Sequence, residues 1–342
     1  MAKDILMNPN HQSSHNLSKP VILQVEDLHT SFKSFEGEVK AVNGVNLELR
    51  KNSILCLVGE SGSGKSVTAL SILNLIYSPG RIDKGKILFN GKNLFSLSEN
   101  ELRQIRGKEI SMIFQDPTSA LNPLLNVGSH MEEMFMAHGN TDKKSIKERS
   151  IDLLRQMDLP NPEHILKQHP FQLSGGMAQR VMIAMAMVWD PPVLIADEIT
   201  SSLDVTLQAD ILDRIRRLRD YNHSSILLIT HDMGVVAQVA DHVAVMYAGS
   251  VVEQAPTIDL FKNPKHPYTS ALLQTLPRLD GPKRRLNPIR GAPPTMIDLP
   301  DKCAFLDRCF KATSECRLNT RPRLLEADQD HMVACYNPII NT

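Results

Sequence analysis

The feature that most constrains this chain is the segment Gly59-Glu60-Ser61-Gly62-Ser63-Gly64-Lys65-Ser66. It fits the pattern G-x-x-x-x-G-K-[ST], follows the apolar run 54–58 and precedes a helix-like stretch over 67–76. Glycines let such a loop curl so that backbone N–H groups at a helix N-terminus face a phosphate. Lys65 would reach the β- and γ-phosphates, and the Ser66 hydroxyl would bind Mg²⁺. We expect the nucleotide to be held by Gly59, Ser61, Gly62, Ser63, Gly64, Lys65, Ser66 and Val67.

A second candidate site, with two acidic residues, follows another apolar segment of strand length. Residues 193–196 are apolar throughout and end in Asp197-Glu198, and an α/β sheet places its ligand chemistry at such carboxyl ends. Asp197 would hold the Mg²⁺ shell, and Glu198 would orient or deprotonate an attacking water.

The alternation of strand-like and helix-like segments predicts an α/β fold with a mostly parallel sheet. The runs 54–58, 193–196 and 226–229 are apolar on both faces, as in buried parallel strands. Ser98 and Glu101 form a capping-box sequence that predicts a helix start. The chain is helical in character over about 120–190, and one predicted helical face carries Ile146, Ser150, Leu153, Leu154 and Met157.

Composition excludes some functions. Lys+Arg and Asp+Glu both number 38, and this zero net charge disfavours a protein whose main ligand is a long polyanion. The longest apolar stretch, 181–189, is too short to span a bilayer. Residues 1–21 form a polar segment that we interpret as the flexible tail of a cytoplasmic protein. Any membrane role therefore has to come through a partner.

The type of ATPase is indicated by the segment Leu173-Ser174-Gly175-Gly176-Met177-Ala178-Gln179-Arg180. It resembles the signature loop of ABC ATPases, with Met177 where Gln is commoner, and in that family the loop completes the ATP site of the opposite subunit. The resemblance implies nucleotide contacts from Ser174, Gly175 and Gly176.

Other elements of that family occur in the same order. Gln115 resembles the Q-loop glutamine, a Mg²⁺ ligand, and Ser202-Leu203-Asp204 resembles the D-loop. His231, after the run 226–229, resembles the switch histidine that contacts the γ-phosphate. Phe32 fits the aromatic residue that stacks on adenine, and Phe35 is a rival for that role.

Finer similarity points to one branch of the family. Four segments resemble the D-type ATPase subunit of oligopeptide/dipeptide importers: 114–123, 179–186, 203–206 and 263–269, the last containing His266-Pro267-Tyr268-Thr269. Ile199 departs from the family, which usually has Pro after the catalytic Glu; Ile keeps a backbone N–H that Pro lacks.

The resemblance implies a P-loop ABC cassette at 22–277. It would have a RecA-like sheet core, an antiparallel β part and an inserted helical subdomain at about 116–190, followed by a Cys-rich segment at 278–342. The implied partners are a second ATPase subunit of F type, two transmembrane permease subunits and an extracytoplasmic substrate-binding protein, at the cytoplasmic face of the inner membrane. Peptide cargo is implied, and nickel or another solute stays open.

Two other classes of function are weighed against this one. A non-transport ABC ATPase acting on nucleic acid is disfavoured by the zero net charge and by the lack of heptads between Lys65 and Ser174. A stand-alone P-loop kinase has no use for the signature loop. We therefore expect no direct contact with nucleic acid.

Four cysteines cluster near the C-terminus: Cys303, Cys309, Cys316 and Cys335. In a cytosolic chain such clustering suggests metal rather than disulfides, although the spacing is not that of common zinc sites. Four thiolates can hold zinc or an iron–sulfur cluster, and free thiols are a third possibility. Resemblance to the C-terminal region of peptide-importer ATPases implies a structural [4Fe–4S] cluster. Any one Cys→Ser change should loosen this segment, and because none of the nucleotide motifs lies beyond His231, we expect the ATPase core to survive it.

Overall fold

The computed structural model describes residues 19–200, 204–276 and 288–340. Its strands are β1 Val21–Ser34, β2 Gly37–Arg50, β3 Ile54–Val58, β4 Gly80–Phe89, β5 Lys92–Asn93, β6 Ile110–Ile113, β7 Val193–Asp197, β8 Ser225–Thr230, β9 His242–Tyr247, β10 Ser250–Pro256, β11 Leu325–Asp328 and β12 His331–Val333. Its helices are α1 Lys65–Ile72, α2 Glu99–Ile105, α3 Pro117–Ala120, α4 Val127–Met136, α5 Lys143–Gln156, α6 Pro162–Ile165, α7 Gly175–Ala186, α8 Val205–Tyr221, α9 Met233–Val239, α10 Thr257–Lys262, α11 Pro267–Gln274 and α12 Ser314–Leu318.

The chain forms two compact units. The first contains the described residues up to Phe95 and from Ile229 onward. One of its sheets is antiparallel, in the order β2-β1-β4-β5. Five further strands follow one another in the order β11-β12-β10-β9-β3, with β3 parallel to β9. The first unit therefore combines an antiparallel sheet with a mixed one.

The second unit runs from Ser96 to Leu228. Its strands β6 and β7 are parallel, and β8, whose first four residues belong to this unit, is the next neighbour of β7. Helices α2 to α8 make up most of the remainder. Across both units, no helix among the described residues has the length and apolarity needed to cross a membrane.

The predicted α/β fold class is confirmed, and the apolar runs explain it. Every residue of β3, β7 and β8 is buried, as expected for strands covered on both faces. The capping box is also present: the Ser98 Oγ accepts from the Glu101 N–H, and the Glu101 carboxylate accepts from the Ser98 N–H. Short-range sequence patterns thus place both the strands and the start of α2.

The predicted face of α5 agrees with the structure, whereas the predicted end of α1 does not. The predicted apolar face of α5 is buried at Ile146, Ser150, Leu153 and Leu154. In contrast, α1 ends at Ile72, short of the predicted 76, because Asn74 adopts a left-handed φ of 52° and so breaks the helical path.

The chain's one tryptophan lies in the second unit. The indole N–H of Trp189 donates to the Met134 carbonyl at 3.2 Å. Phe135 and His138 meet its ring edge-on, each with a centroid distance of 5.7 Å. The Lys108 ammonium lies 5.3 Å from the centroid of the same ring. The half-buried indole therefore packs against Phe135 of α4, against His138 two residues after that helix, and against Lys108 in the turn after α2.

A buried carboxylate attaches the C-terminal residues to the rest of the first unit. Glu253 of β10 is fully buried and accepts from the backbone N–H groups of Lys265 at 2.6 Å and His266 at 2.9 Å. The His331 Nε2 of β12 lies 2.7 Å from the same carboxylate. These contacts compensate for the loss of water around a buried carboxylate and fix β10, β12 and the start of α11 to one another.

Some predicted features lie outside the described residues. They are most of the N-terminal tail, at 1–18, the Ser202-Leu203 part of the D-loop, and the predicted boundary after 277, which falls in 277–287.

The buried His266 predicts a pH dependence of stability. Burial lowers the pKa of His266 to about 4 from its ordinary 6.5, and its Nδ1 accepts from the Tyr268 N–H at the start of α11. Below about pH 6.5 the His266 ring takes up a proton in the unfolded chain, whereas in the folded chain it stays neutral until about pH 4. Protonation therefore favours the unfolded chain in this window. The stability that neutral His266 provides is complete above pH 6.5 and is lost as the pH falls toward 4.

Urea unfolding at a series of pH values should show this loss in the wild type. The variant His266→Asn keeps a cap acceptor but cannot titrate, so its stability should fall less over the same window. Equal losses in both proteins would contradict the assignment to His266.

Candidate functional site

The loop between β3 and α1 is shaped by two close approaches of backbone. Gly64 has a φ of 103°, and a Cβ placed on it would lie 2.1 Å from the Ala41 carbonyl oxygen. A Cβ on Gly59 would lie 2.1 Å from the Met246 carbonyl oxygen. Only glycine fits these two positions, so the ends of the loop are fixed against β2 and β9.

The loop lysine folds back onto its own loop. Lys65 is buried, and its Nζ donates to the Gly59 carbonyl at 2.9 Å and the Glu60 carbonyl at 3.0 Å. The buried Ser63 Oγ has no hydrogen-bond partner among the described residues. Ser61 and Gly62 are exposed, while Ser66 and Val67 are half-buried in the first turn of α1. A helix N-terminus with a lysine and a free hydroxyl beside it can bind a phosphate.

Glu60 is held by residues that lie far along the chain. The Arg308 Nη1 donates to its Oε2 at 2.7 Å and the Nη2 to its Oε1 at 3.1 Å. The Glu60 N–H donates to the Tyr268 hydroxyl at 3.0 Å. The Cys-rich segment therefore contacts the phosphate loop directly, although none of the nucleotide motifs lies within it. Neither Glu60 nor Arg308 was predicted from the sequence. The one sequence signal for this contact was Tyr268 in the 266–269 motif, which had no assigned role.

The acidic pair occupies the end of β7 in the second unit. Asp197 is buried, and Glu198 is half-buried with a left-handed φ of 45°. The exposed Gln115, which follows β6, donates through its Nε2 to the Glu198 Oε2 at 3.1 Å. Two residues predicted to be catalytic are thus brought together, and one of them has a backbone conformation that glutamate rarely adopts.

The signature segment begins α7. Ser174 and Gly175 are exposed, and the Ser174 Oγ accepts from the Met177 N–H at 3.3 Å. A Cβ on Gly176 would lie 3.0 Å from the Leu207 Cδ1, so this glycine allows α7 to pack on α8. Asp204 caps α8 by accepting from the backbone N–H groups of Thr206 and Leu207. The exposed start of α7 therefore offers backbone donors on the surface of the second unit.

The remaining predicted residues lie in the first unit. Phe32 is half-buried on β1, and its ring contacts Gly80, where an added Cβ would come within 2.5 Å of it. Phe35 is fully exposed in the turn between β1 and β2. His231 is exposed immediately after β8. Both aromatic residues thus remain candidates for contact with adenine.

The four C-terminal cysteines line a single cavity: Cys303, Cys309, Cys316 and Cys335. All are free thiols, and burial raises the pKa of Cys335 to about 11, with repulsion from the other three adding to the shift. Burial also raises the pKa values of Cys303 and Cys309. Over 19–200, 204–276 and 288–340, however, no three His, Cys, Asp or Glu side chains are arranged to hold a metal ion. The predicted metal site is therefore not supported by the geometry.

Similarity to known proteins agrees with both resemblances drawn from the sequence, that of the nucleotide motifs to ABC ATPases and that of the C-terminal region to peptide importers. A family model described as ABC transporter matches residues 42–201, and one for the oligopeptide/dipeptide transporter C-terminal region matches 252–316. The oligopeptide transport ATP-binding protein AppD of Bacillus subtilis is 46% identical over 92% of this chain and 96% of its own length. The oligopeptide transport ATP-binding protein OppD of Salmonella typhimurium is 43% identical over 93% of this chain and 94% of its own.

Solved structures match the cassette portion. The dimeric structure of a bacterial ABC transporter cassette is 26% identical, with a TM-score of 0.62, over 69% of this chain and 98% of its own. The same cassette in a post-hydrolysis state, bound to ADP and Pi, gives the same values. The predicted cassette fold is thus confirmed.

The steric constraint at Gly64 can be tested against its neighbour. Gly62 also has a positive φ, 76°, but a Cβ there meets nothing within 4 Å. Gly62→Ala should lower the free energy of unfolding by about 1 kcal/mol, for backbone strain alone. Gly64→Ala adds a backbone clash, so we expect a loss of roughly 3 kcal/mol or more and no retention of Mg-ATP. Urea unfolding measures the stability and calorimetric titration the binding of Mg-ATP. Equal effects of the two changes would contradict the steric constraint at Gly64.

Proposed function

The chain belongs to the ABC transporter family, as an ATP-binding subunit of the oligopeptide/dipeptide type, and we propose that it hydrolyses ATP to power peptide uptake through a partner permease. The observation that carries this proposal is the glycine-fixed phosphate loop with its buried lysine, in a chain 46% identical to such a subunit. ATP and Mg²⁺ are the implied ligands.

The nucleotide contacts follow from the chemistry of each group. Gly59, Ser61, Gly62, Ser63, Gly64 and Val67 would surround the phosphates with loop and helix N–H groups, and Lys65 would turn from its own carbonyls to the β- and γ-phosphates. Ser66, Gln115 and Asp197 would complete the Mg²⁺ shell. Phe32, or its rival Phe35, would stack on the adenine.

The chemical step is assigned to Glu198. Its carboxylate would orient or deprotonate the attacking water, and its hydrogen bond with Gln115 supports a role for both at the same step. His231 would contact the γ-phosphate. A left-handed backbone at Glu198 is a conformation that functional sites often retain at some cost in stability.

We infer that the working unit contains a second ATPase subunit. Ser174, Gly175 and Gly176 would contact the ATP held by that partner, and Asp204 would lie at the same interface. Exposure of Ser174 and Gly175 at the start of a helix supports this, and the related cassette is itself dimeric. The partner is proposed to be an F-type sister subunit.

The remaining partners are assigned from the peptide-transporter relatives. Two permease subunits would span the membrane, a substrate-binding protein would deliver the cargo from outside, and this chain would lie at the cytoplasmic face of the inner membrane. The helical region at about 116–190, beginning just after Gln115, would dock on the permease; its Leu124, which is 82% exposed, supports such a contact. The cassette would span 22–277 and the cysteine segment 278–342.

The proposal is tested by the variant Glu198→Gln in the assembled transporter. Ground-state phosphate contacts remain, so Mg-ATP should bind with nearly unchanged affinity, while ATP turnover falls by at least about 100-fold. Uptake of a labelled dipeptide into vesicles should fall with it. Turnover near the wild-type rate would refute the role of Glu198, and uptake of nickel but no peptide would refute the cargo.

We propose further that the cysteine segment carries a [4Fe–4S] cluster, with zinc as the alternative. The described side chains are not arranged to hold a metal ion. The proposal therefore rests on the four thiols that line one cavity and on their donor chemistry, which suits a group taking four thiolates. Cys303, Cys309, Cys316 and Cys335 would be the ligands. The raised pKa values of Cys303, Cys309 and Cys335 mean that binding would have to displace protons, so the affinity should fall at low pH. The bound group would tie four points of a segment that is poor in core residues.

Elemental analysis of protein purified without oxygen tests this assignment. We expect iron and acid-labile sulfide, with a broad absorbance near roughly 400 nm. Each Cys→Ser variant at the four positions should lose them, whereas Cys56→Ser, at a fully buried thiol outside the cavity, should not. Stoichiometric zinc without iron would replace the cluster by a zinc site, and four titratable thiols without either metal would exclude both.

A further inference from the structure

Glu60, the second residue of the phosphate loop, is anchored at three different groups. Its carbonyl accepts from the Lys65 Nζ, its N–H donates to the Tyr268 hydroxyl, and its carboxylate accepts two hydrogen bonds from Arg308. The last two contacts come from residues more than 200 positions away, in the C-terminal part of the first unit.

Arg308 is itself held rigidly. Its side chain is only 6% exposed, its Nη1 also donates to the Tyr247 hydroxyl at 3.1 Å, and its Nε donates to the Arg290 carbonyl at 3.0 Å. The guanidinium lies 5.7 Å from the Tyr247 ring centroid and 5.9 Å from that of Phe305. A guanidinium fixed in this way can hold a carboxylate in a single position.

The aromatic residues beside it form one packed cluster. The rings of Tyr247, Tyr268 and Phe305 are almost fully buried and lie 4.6 to 5.3 Å apart. The packed cluster therefore holds the Tyr268 hydroxyl and the Arg308 guanidinium in place. Glu60 can bond to both groups without the entropy cost of ordering their side chains.

We propose that Arg308 and Tyr268 are positioning residues for ATP binding, which hold the phosphate loop in its nucleotide-binding shape through Glu60. The inference rests on the proposed function, since it assumes that the loop binds ATP. When Lys65 turns from the Glu60 carbonyl to a phosphate, the loop loses one of its three anchors at Glu60. The contacts from Tyr268 and Arg308 then keep the loop N–H groups directed at the phosphates.

Arg308 also lies in the segment between Cys303 and Cys309. The backbone between these two cysteines therefore sets the position of Arg308. Through Arg308, the cysteine segment contacts the phosphate loop. This gives the C-terminal region a role in ATP affinity in addition to any role of a metal.

The test compares Arg308→Gln with Arg317→Gln in the complete protein. Arg317 lies in the same segment and loses the same charge, but its side chain is exposed. Calorimetric titration with Mg²⁺ and a non-hydrolysable ATP analogue should show roughly tenfold or greater weakening for Arg308→Gln, as expected when hydrogen bonds to a charged group are lost. Arg317→Gln should bind like the wild type. In steady-state turnover, Arg308→Gln should raise the KM for ATP more than it lowers kcat.

A double-mutant cycle separates positioning from general destabilisation. Glu60→Gln should weaken binding as Arg308→Gln does, and the two changes together should cost little more than either alone, because they remove the same contact. Amide hydrogen exchange over residues 59–66 without nucleotide should be faster in Arg308→Gln. Should Arg308→Gln fail to fold, Tyr268→Phe, which removes one hydroxyl only, should still weaken binding several-fold.

The outcomes distinguish two failures. A wild-type protein that binds no ATP analogue would remove the proposed function itself. Wild-type affinity in both Arg308→Gln and Tyr268→Phe, in a protein that does bind, would overturn this inference alone. Additive effects of Glu60→Gln and Arg308→Gln would likewise overturn it.

Discussion

The first unit depends on the burial of one carboxylate. Glu253 has no exposed surface, and a buried charge without partners would cost several kcal/mol, so its donors have to stay in place. Those donors are two backbone N–H groups before α11 and the His331 ring of β12. The carboxylate thus fixes where α11 begins, and this in turn places Tyr268 beside the phosphate loop. The burial of Glu253 in β10 therefore affects the position of the phosphate loop, which lies almost two hundred residues earlier in the chain.

The phosphate loop shows why such support is needed. A loop that directs its N–H groups toward an anion cannot satisfy them within regular secondary structure, and so its shape has to be held from outside. Gly59 and Gly64 set the ends by contact with neighbouring backbone, and Glu60 is held by hydrogen bonds. In the second unit, Glu198 is held in a different manner, by a left-handed backbone and a hydrogen bond with Gln115. Steric contact and polar contact thus share the work of preorganisation.

Much of the fold could be predicted because its signals are local. The strands β3, β7 and β8 are continuous apolar runs, the start of α2 is a capping box, and the phosphate loop is a motif of eight adjacent residues. The early end of α1 was missed, because a left-handed Asn74 is a choice of backbone that composition does not specify. The contact between Arg308 and Glu60 was missed for a deeper reason. An ion pair between residues 248 positions apart depends on the whole tertiary structure, and neither residue carries a local pattern.

The cysteine segment lies between these cases. Clustering in the sequence indicated that the four thiols act together, and they do line one cavity. Spacings of 5, 6 and 18 intervening residues, however, do not specify how the sulfur atoms are oriented, since the intervening chain includes α12 and both C-terminal strands. Residue type can indicate a ligand set, but the arrangement of ligands is a property of the fold.

The packing of Trp189 has a spectroscopic consequence. As the chain's one tryptophan, it gives the indole fluorescence a single origin, in the second unit. Its ring contacts His138 and lies near the Lys108 ammonium, so its emission is sensitive to the charge and distance of both groups. Any movement of α4 relative to the end of α7 would change that environment. The protein therefore carries an intrinsic, label-free reporter of rearrangement within its helical region, at a distance in sequence from the phosphate loop.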